Sequence, residues 1–298
     1  MFSLIVTTLG RTTELARLLE SLDRQTYKQF ETIIVDQNPD DRLVSIIARH
    51  PNLTIRHVRS ARGAAHGRNR GLELARGEII AAPDDDCWYP EDLLNSVWTW
   101  FAEHREFHGL FTSIRDENGL LQKQRRRGTL RCECDRSTVW HYGIEFNSFF
   151  RKKVVNSVGK YDERLGPGAA TGFQSGEGGD YFLRVLDQGY RISFEPSFSV
   201  YHAFMREPAR ELRQAYPYAL GTGFVLRKHR YPLRFVLGDF ILYAFAGAAV
   251  AVIRLDWLNA RVRVLRGIGQ VAGYLRAGRM LRASRNAGLL PPAKGAQN

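Results

Sequence analysis

Short apolar stretches alternate with amphipathic stretches between Phe2 and Ala82. In the first amphipathic stretch, leucines recur at the i, i+3, i+4, i+7 spacing of one helix face, at Leu15, Leu18, Leu19 and Leu22. The pattern predicts, in order, strand 2–8, helix 11–26, strand 31–36, helix 41–50, strand 53–58, helix 67–76 and strand 78–82. Alternating units of this length predict an α/β fold with helices on both faces of a mainly parallel sheet.

Polar residues follow the predicted strands at the points where the strands end. Thr8 and Arg11 follow the first strand, Asp36 and Asn38 follow the second, and 84–86 follow the fourth. In open α/β sheets, ligands bind beyond the carboxyl ends of the strands. We therefore expect these side chains to collect along one edge, together with the Gly- and Arg-rich segment 62–71 that follows the third strand.

Three consecutive carboxylates, Asp84, Asp85 and Asp86, come directly after the apolar run 79–81. Like charges at such short range repel one another, so basic groups are expected nearby. One interpretation is an Asp-rich turn, because Asp side chains satisfy loop backbone. The other is a site for a divalent cation, because Mg²⁺ and Mn²⁺ prefer oxygen ligands and are often shared with a substrate phosphate.

Composition restricts the partners and the compartment. The formal charge of +12, with Arg abundant at 125–127 and after Arg206, suits a polyanionic partner. The candidate polyanions are nucleic acid, anionic lipid head groups and diphosphates. No zinc finger, helix-turn-helix or RNP pattern accompanies this charge, so nucleic acid is the least favoured of the three. Three cysteines, Cys87, Cys132 and Cys134, form no disulfide framework and no paired metal-ligand spacing, which favours a reducing compartment. The first residues lack the pattern of a signal peptide.

The strict alternation ends after the fourth strand. The later predicted elements are helix 93–101, strands 109–115 and 120–123, strand-like 143–150, helix 151–159, helix 181–188 and strand 190–194.

The chain changes character beyond His202. The stretch 235–253 contains one charge, Asp239, and is bounded by Arg234 and Arg254. Its length borders on a transmembrane span, and the Arg-rich amphipathic stretch 257–282 follows it. Three interpretations are open: helices lying in the lipid head-group layer, which we favour, one spanning helix, or helices packed on the preceding domain.

In its order of motifs, the chain resembles the family 2 glycosyltransferases, which share the GT-A fold. The matching stretches are the opening strand with Thr7-Thr8, Ile33 to Asp36, Gly67 to Gly71, Gly77 to Asp86 with Tyr89-Pro90, and Gly176 to Gly189 followed by Val200 to His202. The resemblance implies a GT-A, Rossmann-like sheet flanked by helices. Within it, 1–125 would bind the nucleotide sugar and 126–205 the acceptor. The resemblance ends at about residue 205, and the composition of 206–298 predicts a basic, helical, membrane-associating extension.

The resemblance also implies roles for individual residues. Asp36 would recognise the nucleotide base, and Asp86 would bind a Mn²⁺ or Mg²⁺ ion directly. The full set for the nucleotide sugar is Thr8, Arg11, Asp36, Arg68, Asp84 and Asp85, and the set for the metal is Asp86, Asp84 and His202. A satisfied histidine at a strand end is the open alternative for His202.

The chain departs from the family at the expected catalytic base. The family supplies that base from a Glu-Asp pair before the helix ending in Gly-Tyr-Arg, whereas this chain has Glu177-Gly178. Glu177 and Asp180 are the remaining candidates, although either could instead cap the helix.

The predicted function is that of a metal-dependent, inverting glycosyltransferase of cell-surface polysaccharide or glycolipid synthesis. The predicted partners are a nucleotide-diphosphate sugar, a glycan or lipid-linked acceptor and an anionic membrane surface, with no nucleic acid. The predicted location is the cytoplasmic face of the cell membrane. Because the Glu-Asp pair is broken, a non-catalytic module that binds sugar nucleotides or glycans at the membrane is the alternative. An aspartyl phosphotransferase is disfavoured, since neither Thr nor Val follows Asp86.

Overall fold

A nine-stranded mixed sheet organises the first part of the chain in the computed structural model, which describes residues 1–121, 130–203 and 207–286. Its strands are β1 Phe2–Thr8, β2 Phe30–Asp36, β3 Ile55–Arg59, β4 Ile79–Ala81, β5 Cys87–Trp88, β6 Gly109–Arg115, β7 Cys132–Cys134, β8 Ser148–Arg151 and β9 Ile192–His202. They lie in the order β3-β2-β1-β4-β8-β6-β9-β5, with β7 paired to β9.

The helices around and beyond the sheet follow the alternation expected for an α/β fold. They are α1 Thr13–Asp23, α2 Val44–Ile47, α3 Ala64–Leu74, α4 Leu93–Glu103, α5 Val139–Tyr142, α6 Lys152–Val158, α7 Glu177–Asp187, α8 Pro208–Lys228, α9 Leu233–Phe235, α10 Tyr243–Ile253 and α11 Trp257–Asn286. A 3₁₀ turn, Glu145–Asn147, precedes β8, and a π-helical segment, Val236–Leu242, joins α9 to α10.

The first four strands pair in parallel, which places their carboxyl ends at one edge. Strand β1 lies between β2 and β4, and the register sets Thr8 opposite Asp36. Strands β1, β2 and β4 are almost fully buried, because helices cover both faces and their side chains are mainly Val, Ile, Leu and Phe, whereas the edge strand β3 is half-buried. The α/β prediction with a mainly parallel sheet is confirmed.

Pairings of β9, which is far along the chain from the first four strands, complete this edge of the sheet. Strand β9 runs parallel to β6 and antiparallel to β5, and the β5–β9 register sets Cys87 opposite His202. The end of β9 therefore lies beside the acidic segment that precedes β5.

Several element boundaries differ from those predicted. The helix predicted at 41–50 is a single turn, α2, and the strand predicted at 143–150 begins only at Ser148. In its place the Asn147 side chain donates hydrogen bonds to the carbonyls of Thr112 and Tyr142 and accepts one from the Ile144 amide, which fixes a turn. The strand predicted at 120–123 falls mostly outside the described residues.

Helix α7 begins at Glu177, four residues earlier than predicted. Gly176, with a φ of +93°, makes the turn into the helix. The helix thus takes in Gly178 and Gly179, two residues of low helix propensity. Glu177 and Asp180 consequently lie within the first turn of α7 rather than before it.

Two compact units divide the chain, one comprising 1–163 with 178–205 and the other 164–177 with 206–298. In the second unit, glycines let α8 and α11 approach closely. A Cβ at Gly223 would stand 2.2 Å from the Gln270 carbonyl oxygen, and one at Gly273 would stand 2.2 Å from that of Leu220.

One helical run among the described residues, Leu233–Ile253, is long and apolar enough to cross a membrane. Its most apolar window is only 28% buried within the protein. This run is therefore less buried than the core helix of a globular domain.

Candidate functional site

Asp36 ends β2 as a buried anchor. Its Oδ1 accepts hydrogen bonds from the amide and the side-chain nitrogen of Asn38, both at 2.8 Å. Its Oδ2 lies 2.9 Å from Nε2 of His57 and 3.1 Å from Nη1 of Arg59. These four contacts use the acceptor capacity of a carboxylate, so a nucleotide base would have to displace one of them. His57 and Arg59 were not predicted as site residues.

The two predicted arginines converge on the acidic cluster, which we define as Asp84, Asp85 and Asp86. Arg11 Nη1 lies 2.6 Å from Oδ1 of Asp85 and 2.5 Å from Oδ2 of Asp86. Arg68, from α3, donates to Oδ1 of Asp84 at 3.1 Å. The expectation that basic groups compensate the three carboxylates is confirmed, and the compensation comes from the ends of two different strand–helix units.

Three of the predicted metal ligands meet in one place. One ligand atom from each of Asp84, Asp86 and His202 lies within 4.8 Å of the others. His202 Nε2 is 3.1 Å from Oδ1 of Asp86, an oxygen that is buried and for which the described residues provide no hydrogen bond of good geometry. Two carboxylate oxygens, one of them without a donor, and an imidazole nitrogen suit Mn²⁺ or Mg²⁺. The residues present therefore fit a divalent cation.

The carboxylates of the acidic cluster differ in the direction of their pKa shifts. Burial raises the pKa of Asp84 to about 6; Arg68 opposes this shift, and the like charges of Asp86 and Glu145 add to it. Burial likewise raises the pKa of Asp85 against the pull of Arg11. For Asp86 burial is outweighed by His202 and Arg11, which hold its pKa below the usual value. Asp84 is thus the carboxyl whose proton a cation would displace.

Mn²⁺ affinity should fall as the pH drops through about 6, the pKa of Asp84. The pKa of Asp84 is raised, so its carboxyl is ionised above that value and protonated below it, where the proton competes with the cation. We expect the affinity to decrease by about tenfold per pH unit below the pKa. Electron paramagnetic resonance of free Mn²⁺ measures it, with Asp84→Asn as the control that should bind weakly and lose this step. Equal affinity at pH 7 and pH 5 would contradict the assignment.

The two predicted catalytic carboxylates lie in the first turn of α7. Asp180 is 0% exposed and forms an ion pair with Nε of Arg184 at 3.0 Å. Arg184 also donates to the carbonyls of Val158 and Lys160, which ties the helix to the preceding segment. Glu177 is 4% exposed, with its carboxyl group against Gly166. Both side chains are enclosed by protein.

Glu145 is a further carboxylate of the site, which the sequence analysis missed. It begins the 3₁₀ turn before β8, and its Oε1 lies 3.8 Å from Nη1 of Arg68. Its charge contributes to the raised pKa of Asp84, which places it in the electrostatic environment of the acidic cluster. The segment was predicted as a strand because its residues are largely apolar. The glycine at 178, against which Glu145 lies, is the signal that could have drawn attention to it.

Comparison with known proteins places these features in a family. Residues 3–159 match the model described as Glycosyl transferase family 2. Among curated proteins, the chain is similar to the uncharacterized glycosyltransferase YwdF of Bacillus subtilis, with 25% identity over 209 residues, 68% of this chain and 74% of that protein.

Solved structures share the fold. TarS of S. aureus, in complex with UDP-GlcNAc, superposes with a TM-score of 0.57 at 17% identity, covering 98% of this chain and 93% of that one. The mannosyltransferase PcManGT of Pyrobaculum calidifontis, with GDP-Man and Mn²⁺, gives a TM-score of 0.56 at 20% identity over 98% and 81% of the two chains. The predicted GT-A fold is confirmed.

Proposed function

The chain belongs to glycosyl transferase family 2, and on that premise we propose that it is a metal-dependent, inverting enzyme that uses a nucleotide-diphosphate sugar. The observation that carries the proposal is the convergence of Asp84, Asp86 and His202 beside two arginines at the carboxyl edge of the sheet. TarS and PcManGT, which share this fold, were solved with UDP-GlcNAc and with GDP-Man and Mn²⁺ respectively.

The chain's own residues would divide the work on the donor. Asp84, Asp86 and His202 would hold the cation, which when bound neutralises charge on the departing diphosphate. Arg11 bridges Asp85 and Asp86 and keeps about a quarter of its side chain exposed, 28%, so it could contact phosphate oxygens without leaving the carboxylates. Thr8 and Asp36 lie next to each other in register at the edge where the nucleoside would bind.

We propose inversion of the anomeric configuration because of the carboxylates, arginines and histidine at this edge of the sheet. A single displacement needs a base for the acceptor hydroxyl and charge neutralisation for the leaving diphosphate. Carboxylates, arginines and a histidine supply both functions, with one attack on the face opposite the leaving group. The product should therefore have the anomeric configuration opposite to that of the donor.

We further propose that α9, α10 and α11 attach the enzyme to the cytoplasmic face of an anionic membrane. These helices expose large apolar side chains, and the acidic and basic residues before residue 206 balance, so the whole formal charge of +12 arises from the rest of the chain. Apolar side chains beside arginines are typical of helices in the head-group layer. A glycan or lipid-linked acceptor for cell-surface polysaccharide or glycolipid synthesis would be within reach there.

A panel of UDP-, GDP- and dTDP-sugars with Mn²⁺ or Mg²⁺ tests the proposed function. We expect nucleotide release with at least one donor, abolished by EDTA and restored by adding the cation. Nuclear magnetic resonance of the product reads its anomeric configuration. Binding of donors without release under every condition would contradict catalysis and favour the non-catalytic binding module, for which the pair Glu177-Gly178 is the motivating observation. Retained activity in EDTA would contradict the metal dependence.

A further inference from the structure

We propose that Glu145 is the catalytic base of the sugar transfer and that the lack of a side chain at Gly178 makes room for its carboxylate. The inference rests on the proposed function and deepens it. It names the proton acceptor that neither Glu177 nor Asp180 is well placed to provide.

The first observation is the space around Gly178. A Cβ built at this position would stand 2.4 Å from both Cδ and Oε1 of Glu145, closer than real Cβ atoms come to any heavy atom. The carboxylate of Glu145 therefore occupies the volume that a side chain at 178 would need. A carboxylate carried by residue 178 and one carried by Glu145 are alternatives for the same place beside the first turn of α7.

The second observation is that Glu145 lies beside the acidic cluster. Arg68 links the two, with Nη2 at 3.1 Å from Asp84 and Nη1 at 3.8 Å from Oε1 of Glu145. The Glu145 side chain is 14% exposed, compared with 0% for the side chain of Asp180. A base must come within hydrogen-bond reach of the acceptor hydroxyl.

The third observation concerns the other carboxylates of this region. Asp180 is 0% exposed and bound to Arg184, which is itself held by two backbone carbonyls. Breaking that pair would remove the cation that compensates the fully buried Asp180 carboxylate, which is costly. Glu177 is 4% exposed against Gly166. Asp180 has the environment of a structural anchor, whereas the ion pair of Glu145 with Arg68 has the longer distance of 3.8 Å.

The turn that carries Glu145 is rigidly mounted. Asn147, fully buried, donates to the carbonyls of Thr112 and Tyr142 and accepts from the Ile144 amide. The hydroxyl of Ser148 donates to the Glu145 carbonyl at 2.7 Å. A carboxylate held on such a support is preorganised for proton transfer.

In the proposed step, the acceptor hydroxyl gives its proton to the Glu145 carboxylate. At the same time the oxygen of that hydroxyl forms a bond to the anomeric carbon. The bond from that carbon to the diphosphate oxygen breaks, and its electron pair leaves with the nucleotide diphosphate. Glu145 then passes the proton to water and returns to its ionised form.

The decisive experiment compares Glu145→Gln, Glu145→Ala, Gly178→Asp and the double variant Glu145→Ala/Gly178→Asp in the full chain. We expect Glu145→Gln to bind the donor as the wild type does, by calorimetry with Mn²⁺, but to lower kcat at least about a hundredfold, as removal of a general base does. Gly178→Asp alone should lose activity because two carboxylates compete for one space. The double variant should regain at least about tenfold over Glu145→Ala, since the carboxylate is restored from the other side. Glu103→Gln, an exposed change on α4, is the matched control.

The outcomes separate the two proposals. If the wild type turns over no donor, the proposed function fails, and the assignment of Glu145 fails with it. If the wild type is active and Glu145→Gln keeps more than a tenth of its kcat, only the assignment of Glu145 is overturned. If Glu145→Ala and the double variant are equally inactive while both bind the donor, the shared space has no role in proton transfer and the inference is likewise overturned.

Discussion

Asp86→Ala is expected to lower sugar transfer by about a thousandfold, because a bound cation contributes several kcal/mol to stabilising the departing diphosphate. Asp86 contacts side chains from two segments that are far apart in the sequence. Its Oδ2 contacts Nη1 of Arg11, and its Oδ1 lies 3.1 Å from Nε2 of His202. The measurement is nucleotide release with the donor that the wild type uses, at saturating Mn²⁺.

The control for Asp86→Ala is Glu20→Ala, which removes an exposed carboxylate on α1. This variant should retain wild-type turnover. Asp86→Ala should also bind Mn²⁺ more weakly, which separates loss of the cation from general damage, and it should unfold at a temperature near that of the wild type. Unchanged turnover with wild-type Mn²⁺ affinity would refute the role assigned to Asp86.

The edge of the sheet that carries Thr8, Asp36 and the acidic cluster could be predicted because its causes are local. Hydrophobic periodicity fixes each strand, and parallel pairing brings the strand ends to one side. The register of β1 with β2, which sets Thr8 opposite Asp36, follows from that arrangement. The pairing of Asp36 with His57 and Arg59 was not predicted. It depends on the register of β3, in which Arg59 stands opposite Asp36 and His57 opposite Ile34.

The remaining parts of the site depend on contacts between segments far apart in the sequence. His202 reaches Asp86 only because β9 pairs with β5, and the resemblance to a family, rather than periodicity, suggested it. Glu145 was missed because Phe146, Phe149 and Phe150 give its segment the composition of a strand, whereas the hydrogen bonds of Asn147 make a turn. Local propensity does not report such tertiary bonds.

The start of α7 shows the same limit. A helix beginning at Tyr181 is the natural prediction, since two glycines disfavour an earlier start. The structure begins the helix at Glu177, and Gly178 and Gly179 lie against Glu145 and Trp140 respectively. A Cβ would stand 2.4 Å from the Glu145 carboxyl group at position 178 and 3.1 Å from the Trp140 ring at position 179, so both positions favour glycine although each glycine costs the helix about 1 kcal/mol.

Replacing Leu242, Ile253 and Trp257 together by glutamate is expected to abolish flotation of the protein with anionic liposomes. These side chains are 61%, 81% and 60% exposed, so the change should leave the fold and its unfolding temperature intact. Each of them would contribute about 1.5–3 kcal/mol on entering an apolar layer, and the three together correspond to a loss of at least about a hundredfold in binding. The added negative charge further opposes an anionic surface.

The matched control for the membrane prediction is Val44→Glu with Leu120→Glu, two changes at apolar residues 52% and 65% exposed in the first unit. This variant should float as the wild type does. Raising the salt concentration should weaken wild-type binding to anionic vesicles, since arginines attract the lipid head groups through a screened field, while binding to neutral vesicles should be weaker from the start. Flotation that survives the triple change, or that is equal on neutral and anionic vesicles, would contradict attachment through α10 and α11.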